Sequence, residues 1–424
     1  MFSGVLKPVM IADPATPALE PRTEGVSFWQ VAGRAFSRRW LNLIACGHIA
    51  CIALLAVFVP FIANGHPYTI VYPTKAGHVR HWPLFATLSA LDLCLLVIFA
   101  GAVAFAFFYR RFGRTIVDRE DRSAARCETL FIIMGIVMLI SGALFYFHGS
   151  PLNPNDYRSY EAMIKEGRAS GALFPPVHWS SSEQEPLIAN RTFEFPSADH
   201  WLGTDGIGRD ALSRLLWSTR VVMGIGFVAE AIVLIIGITI GAMMGYFASK
   251  VDLLGMRLVE IFEAVPTFIL ILIFVATYGR NIFMIMVILG LTGWTGVARF
   301  TRAEFLKLRK LDYVHAAIAT GLPLRRLLFR HMLPNALTPI IVTATFGIAG
   351  AIMSESGLSF LGVGVEPPTP SWGALLNEAG NPAETFRWWL AIAPGFMIFL
   401  TVFSYNIIGE GLRDAIDPRT NRVR

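Results

Sequence analysis

The sequence predicts an all-α protein that crosses a membrane about eight times. Of its 424 residues, 54% are hydrophobic and only 16% are charged, whereas a soluble domain carries about a quarter charged residues. The deficit sits in separate apolar runs, each long enough for the roughly 20-residue helix that spans a bilayer. Lysine and arginine cluster in alternate connecting loops, the signature of a fixed orientation.

The chain divides into four parts. Residues 1–40 form a polar cytoplasmic lead. No apolar run precedes Leu41, so the first span is expected to act as an uncleaved anchor and not as a signal peptide. Residues 41–148 hold three spans, near 41–63, 85–109 and 129–148. Residues 149–218 form an extracytoplasmic segment whose apolar content is thin for a strong core of its own. Residues 219–424 hold five spans, near 221–247, 262–279, 281–298, 336–361 and 388–409. Helices are expected because a lone span must satisfy its own backbone hydrogen bonds in lipid. Cys46, Cys51 and Cys94 lie in spans and Cys127 at the mouth of one, so no structural disulfide is expected.

Orientation follows from the cations. Arg34, Arg38 and Arg39, then Arg110, Arg111, Arg114, Arg119, Arg122 and Arg126, then the region from Arg299 to Arg330, and the tail with Arg413, Arg419, Arg422 and Arg424 all fall on one side. That side is assigned to the cytoplasm, with both termini. The loop from Val365 to Thr385 carries Glu366, Glu378 and Glu384 and no lysine or arginine, and falls on the other. The net charge of +6 is therefore read as a topology signal and not as a nucleic-acid surface.

Two segments carry more pattern than a loop requires. His200-Trp201-Leu202-Gly203-Thr204-Asp205-Gly206-Ile207-Gly208-Arg209-Asp210 combines turn-forming glycines with Asp210 as a helix N-cap. Leu212, Leu215 and Leu216 then share a face, with Trp217 as an interface anchor, predicting an elbow and an interfacial helix on the outer leaflet. A calcium loop is disfavoured because Ile207 and Arg209 stand where oxygen ligands are needed. The second segment, Glu304 to Pro334, is basic and helix-forming. Asp312 is placed as N-cap, with Tyr313 at N1 and His315 at N3. Ala316, Ala317 and Ala319 favour helix and leave a slim profile for a partner's groove. Gly321 ends that helix. Pro323 follows, and Leu324, Leu327, Leu328 and His331 hold helical spacing up to Leu333-Pro334. Two short helices joined by a bend are expected, lying across the membrane face. The plainer reading is a basic loop that holds anionic lipid; the ordered Ala-Ala, Gly and Leu-Pro spacing favours docking onto a soluble partner.

This second segment resembles the EAA loop of importer-type ABC transporter permeases. Ala316, Ala317, Gly321, Leu333 and Pro334 match at the family spacing, while His315 stands for Glu and His331 for Ile. His200 to Asp210 resembles the H-P-x-G-T-D-x-x-G-R-D signature of dipeptide and oligopeptide permeases, with Trp201 for Pro. Gly245-Tyr246-Phe247 with Val251-Asp252 and Met256-Arg257 resembles another stretch of that family. So does Glu355-Ser356-Gly357-Leu358-Ser359-Phe360-Leu361-Gly362 followed by Pro367-Pro368, Pro370 and Ser371-Trp372-Gly373. The matches cover residues 200 to about 418. The N-terminal half departs: three spans precede the elbow where common members have one, and the enlarged outer region resembles the microcin-C/oligopeptide subgroup.

The resemblance implies a type I importer permease core of five to six helices plus two extra N-terminal spans. It implies a coupling loop at 299–334, with His315, Ala316, Ala317, Gly321, Leu333 and Pro334 as ATPase-coupling residues. It also implies a second permease subunit, two ATPase subunits and an extracytoplasmic solute-binding protein. No cofactor is expected on this chain. It has no G-x-x-x-x-G-K-[ST] phosphate loop, so ATP is used by partner subunits. Acidic residues in or near spans are Asp92, Glu230, Glu260, Glu263 and Glu355. Glu260 is expected to pair with Arg257; Asp92 and Glu230 are given to snorkelling or interhelix bonding near the outer face, ahead of substrate contact. Glu355 is read as lining a translocation route or packing between helices. The rival class is an ion-coupled secondary transporter, which midplane carboxylates and broken helices would favour. A membrane-bound enzyme built on His178, Asp199, His200 and Asp205 lacks a recognised nucleophile or metal spacing.

Overall fold

The computed structural model describes residues 28–74, 77–115, 119–147, 157–184, 191–380 and 386–416. Most of the polar lead, Glu384 and the tail residues Arg419, Arg422 and Arg424 lie outside the described residues. After the amphipathic α1 (Phe28–Ser37) come α2 (Trp40–Ile62), a hairpin of β1 (Thr69–Thr74) and β2 (Gly77–His81), and the short α3 (Pro83–Ala86). Next follow the long helices α4 (Ala90–Thr115) and α5 (Arg119–Phe147), then α6 (Tyr157–Lys165) and β3 (Ser170–Leu173). The second half holds α7 (Ala211–Phe247), α8 (Ser249–Ala264), α9 (Thr267–Tyr278), α10 (Ile282–Leu308) and α11 (Asp312–Ala319). It ends with α12 (Leu324–Arg326), a π turn at Leu327–Met332, α13 (Leu333–Phe360), α14 (Trp372–Ala379) and α15 (Trp388–Ile416).

Seven of the described helices are long and apolar enough to cross a membrane, and α8 with α9 makes an eighth if the bent pair counts as one span. The expected straight span at 262–279 is instead broken, with a 67° bend between α8 and α9. Val265 is extended and Pro266 caps α9. Proline pushes the residue before it out of the helical region, which locates the break.

The tightest helix pair is α7 with α10. Gly237, Gly241 and Gly245 recur every four residues on one face of α7. A methyl group at Gly237 would sit 2.8 Å from Val297 Cβ, and one at Gly245 would sit 2.5 Å from Phe305 Cβ. At Gly241 it would overlap the Ala298 carbonyl. Gly290 returns the contact from α10, where a methyl would lie 2.6 Å from Ile232 Cβ. Small residues let the backbones approach, which is how helices gain packing energy where lipid removes the hydrophobic drive.

The elbow before α7 is held by buried charges. Asp205 accepts from Arg209 Nε (2.6 Å), from the Arg209 and Ile207 backbone amides (2.9 and 3.0 Å), and from Arg214 Nη1. Arg214 Nη1 also reaches Glu378 Oε2 of α14 (2.9 Å). Burial pushes the Glu378 carboxyl upward, and the Arg214 and Arg209 guanidiniums pull it back. The Asp205 carboxylate is thus engaged by two guanidiniums, which answers the calcium reading chemically: its oxygens serve cations of the chain itself. Asp210 caps α7 through Ser213 N (2.6 Å) with one oxygen and meets His200 Nδ1 (2.9 Å) with the other. Gly203 has φ +66°, and a side chain there would also strike the Glu194 carbonyl. The expected separate interfacial helix does not form. Ala211 to Phe247 runs unbroken for 37 residues, and Leu215 is buried against Trp372 and Trp389 rather than laid on lipid.

Beyond the helices lies a feature absent from the helical expectation, a three-stranded antiparallel sheet in the order β2-β1-β3. It joins the loop after α2 to the segment after α5 in one cap, packed on Ile70, Tyr160 and Ala169. The alternating pattern within Thr69–His81 is too short to stand out beside the long apolar runs. The extra spans α4 and α5 are pinned to the core through Asp92. Ser89 and Asp92 cap α4 reciprocally, with Ser89 N to Asp92 Oδ2 at 2.6 Å and Asp92 N to Ser89 Oγ at 3.3 Å. The other Asp92 oxygen pairs with Arg220 of α7, the interhelix bond expected for it. Arg220 Nε in turn donates to the Ala56 carbonyl of α2 (2.6 Å). That carbonyl has no helical partner because Pro60, four residues on, lacks an N–H.

Two outcomes follow. Gly241→Leu lowers stability by about 1–3 kcal/mol through overpacking, read as a fall in the unfolding midpoint of detergent-solubilised protein. Gly135→Leu on α5, where a methyl meets nothing within 4 Å, leaves the midpoint near its starting value, and equal effects would contradict the seam. Arg214→Leu strands two acidic partners and costs about 3–5 kcal/mol, with cleavage by added protease appearing first in the elbow; an unchanged midpoint would contradict that role.

Candidate functional site

The basic segment after α10 forms a platform. Its underside is apolar: Val314 of α11 and Leu327 and Met332 of the π turn are buried with Phe305 and Leu308 of α10. Two sequence-singled residues, Ala317 and Leu333, meet on this cluster and are half-buried. The upper side is open. His315, Ala316, Ala319 and Gly321 are exposed, with Ile318 at 48% and Phe329 at 61% exposure. Pro334 is exposed in the first turn of α13. Exposed apolar side chains beside Arg325, Arg326 and Arg330 make an amphipathic surface suited to a protein groove.

Local chemistry shapes the platform. Asp312 stands inside the first turn of α11, and Leu311 takes the cap position without a side-chain bond. The expected Asp312 cap is therefore shifted by one residue, and its carboxylate still lies at the positive end of the helix dipole. The C-terminal end is a Schellman closure: Gly321 N donates to Ile318 O (3.0 Å) and Leu322 N to Ala317 O (3.1 Å). Gly321 has φ +72°, the left-handed geometry that this closure requires. The second short helix expected after Pro323 is not separate. Leu324 to Phe360 reads as one 37-residue helix, widened by the π turn at Leu327–Met332. Pro334 lacks an N–H and crowds the Arg330 carbonyl, and the wider turn upstream accommodates it.

Ion pairs tie the platform's base to α8. Arg302 of α10 binds Asp252 through two nitrogens, one of them at 2.6 Å. Arg299 reaches Glu263 at 2.7 Å, and Arg257 meets Glu260 at 2.5 Å as its spacing predicts.

Glu355 lies away from the platform, near the other end of α13, and is fully buried. Ser359 Oγ donates to it (2.7 Å), and Ser356 and Ser371 are further partners. Ser359 Oγ also accepts from Val365 N (3.3 Å). Trp372, buried beside this group, donates to the Leu215 carbonyl of α7 (3.0 Å). Glu355 thus bolts the turn after α13 to α14, in a packing arrangement.

A cavity of about 500 Å³ opens between α7, α9, α10 and α13. Its wall includes Glu230, Thr267, Thr292, Gly296, Gly347 and Ser354. Glu230 is 5% exposed, and its Oε1 has no hydrogen-bond partner among the described residues. Of the two roles expected for Glu230, the interhelix bond is not made among the described residues, and the carboxyl is buried rather than snorkelled to the surface. The available signal was the row of small residues at helical spacing, Gly293-Gly296 on α10 and Gly347-Gly350 on α13, which leaves room opposite an acidic residue. Arg214 and Arg220, both central to the fold, carry no local sequence signal, because their partners lie on other segments.

Comparison with known proteins places this architecture. The family described as binding-protein-dependent transport system inner membrane component matches residues 237–422. The N-terminal TM domain of oligopeptide transport permease C matches residues 27–80, so the α4–α5 hairpin falls between the two. A dipeptide transport system permease of Alkalihalophilus pseudofirmus is 38% identical over 248 residues, 58% of this chain and 81% of that protein. An oligopeptide transport system permease of Haemophilus influenzae is 40% identical over 246 residues, 58% of this chain and 78% of its own. A glutathione transport system permease of Pectobacterium atrosepticum is 37% identical over 230 residues, 54% of this chain and 76% of its own. The chain belongs to the binding-protein-dependent inner-membrane permeases, the noncatalytic membrane-spanning components of ABC importers.

Proposed function

We propose that this chain is one of two permease subunits of an ATP-driven importer of peptides or peptide-like solutes, which works with two ATPase subunits, and that one of these ATPases docks on its α11 platform. The observation that carries the docking is the split character of α11. Val314 anchors it on α10, while His315, Ala316 and Ala319 face outward with small or polar side chains. A slim helix backed by a rigid base transmits force in a way that a lipid-bound loop does not.

The solute class rests on the relatives, which are named for dipeptides, oligopeptides and glutathione. A second permease subunit and an extracytoplasmic binding protein complete the assembly, with ATP consumed on the ATPase subunits and no cofactor on this chain. Both termini are assigned to the cytoplasm. The Arg39–Asp414 pair at 2.5 Å supports this by joining the start of α2 to the end of α15, and helix alternation puts α11 at that same end. ATPase closure would push α11 against α10 and so rock α7, which is seamed to it. In place of the usual Glu, His315 makes shape and not an ion pair the main element of the contact.

Gly321→Leu tests the docking. A non-glycine residue in the left-handed region costs about 1–2 kcal/mol, which distorts the closure of α11. ATP-driven uptake by the reconstituted importer falls to background while the variant still inserts into the membrane. Normal uptake would contradict the platform's role, and uptake with no ATPase present would overturn the ABC assignment in favour of an ion-coupled carrier.

A further inference from the structure

Glu230 stands near the middle of α7, with its carboxyl at the wall of the intramembrane cavity. The space for that carboxyl is built. A methyl at Gly347 of α13 would overlap the Glu230 carboxyl, so a larger residue there would push that carboxyl out of its present place. One carboxylate oxygen, Oε1, is buried with no hydrogen-bond partner among the described residues. A polar atom in that position carries a cost of about 1–3 kcal/mol unless something pairs with it.

The rest of the wall offers acceptors. Thr292 Oγ1 donates its hydrogen to the Ile288 carbonyl (2.9 Å), and Thr343 Oγ1 donates to the Ile340 carbonyl (2.7 Å). Both hydroxyl hydrogens are committed to their own helices, so both oxygens present lone pairs. Gly296 and Gly350 have open space where a side chain would be. A wall of one carboxylate and accepting oxygens calls for a ligand that is cationic and rich in donors. A primary ammonium, with three N–H donors and one charge, fits. A divalent metal does not: it needs several charged or carbonyl oxygens, and no group of three or more His, Cys, Asp or Glu residues suited to a metal occurs among the described residues.

We infer that Glu230 is a specificity-determining residue of the translocation cavity, where its carboxylate receives a primary ammonium group of the passing solute. This rests on the peptide-importer reading above. The ammonium comes from a peptide amino terminus or from a lysine side chain, and the test separates these sources.

The complete importer, with its second permease, ATPases and binding protein, is reconstituted in vesicles. ATP-driven uptake is followed for a dipeptide with a free amino terminus, for its N-acetylated form, and for an N-acetylated dipeptide that carries lysine. Glu230→Gln lowers uptake of the free-amine peptide relative to the acetylated one by about tenfold, the scale of one charge-assisted hydrogen bond. Glu230→Asp restores most of that ratio. If the acetylated lysine peptide also falls with Gln, the site takes either ammonium; if not, it takes the amino terminus. A Gln variant that leaves the ratio unchanged overturns the assignment. So does one that no longer co-purifies with its partners, which would mark Glu230 as structural. If the native importer moves none of the three peptides, the solute reading itself fails.

Discussion

Two helices, α7 and α10, approach so closely that each accommodates the other only through glycine. Gly237, Gly241 and Gly245 face Val297, Ala298 and Phe305, and Gly290 answers from the opposite side. Much of the remaining core is arranged around this seam. The platform hangs from the end of α10, the cavity opens beside α7 and α10, and the elbow feeds directly into α7. Packing at this density has little compliance, so a displacement of α10 is carried into α7 and is not absorbed between them.

Charged groups secure the ends that the seam leaves free. At one end, Asp205, Arg209, Arg214 and Glu378 join the elbow to α14. Arg220 gathers α2, α4 and α7 around the carbonyl freed by Pro60. At the other end, Arg302–Asp252 and Arg299–Glu263 fasten α8 to α10. Arg209, Arg214, Arg220, Arg299 and Arg302 each have an anionic partner, as the cost of a lone buried charge demands. The cap sheet and the α4–α5 hairpin are thus extensions hung on the same frame, the hairpin by the Asp92–Arg220 ion pair and the Phe58–Phe99 ring contact between α2 and α4.

The span pattern was legible in the sequence because each span is a long apolar run, and hydropathy reports burial in lipid directly. Asp210 as a helix cap and Gly321 as a helix end were legible because those geometries demand few residue types. What was hidden depends on distance between segments. The sheet pairs Val71 with Ser170, a contact that no local periodicity signals. The break at Val265-Pro266 was masked by continuous hydrophobicity across it. The union of α12 with α13 was masked by Pro334, which reads as a boundary and is taken up instead by the π turn. Glu230 looked like a helix-bonding acid because its surroundings come from three other helices, and only their glycines hinted at a cavity. Glu355 stands in a motif readable from the sequence, but its bonds to Ser356, Ser359 and Ser371 depend on the turn after α13 and are seen only in the fold.

The central claim is that α11 is a docking helix for an ATPase subunit, with its exposed face at the contact. The most direct measurement places a cysteine at Ala316 in a chain otherwise free of cysteine and tests for thiol cross-linking to ATPase subunits in native membranes. The account predicts an adduct of permease and ATPase from position 316 and none from position 314, whose side chain is buried on α10. Equal adducts from both positions, or none from 316 while the ATPase remains bound, would contradict it.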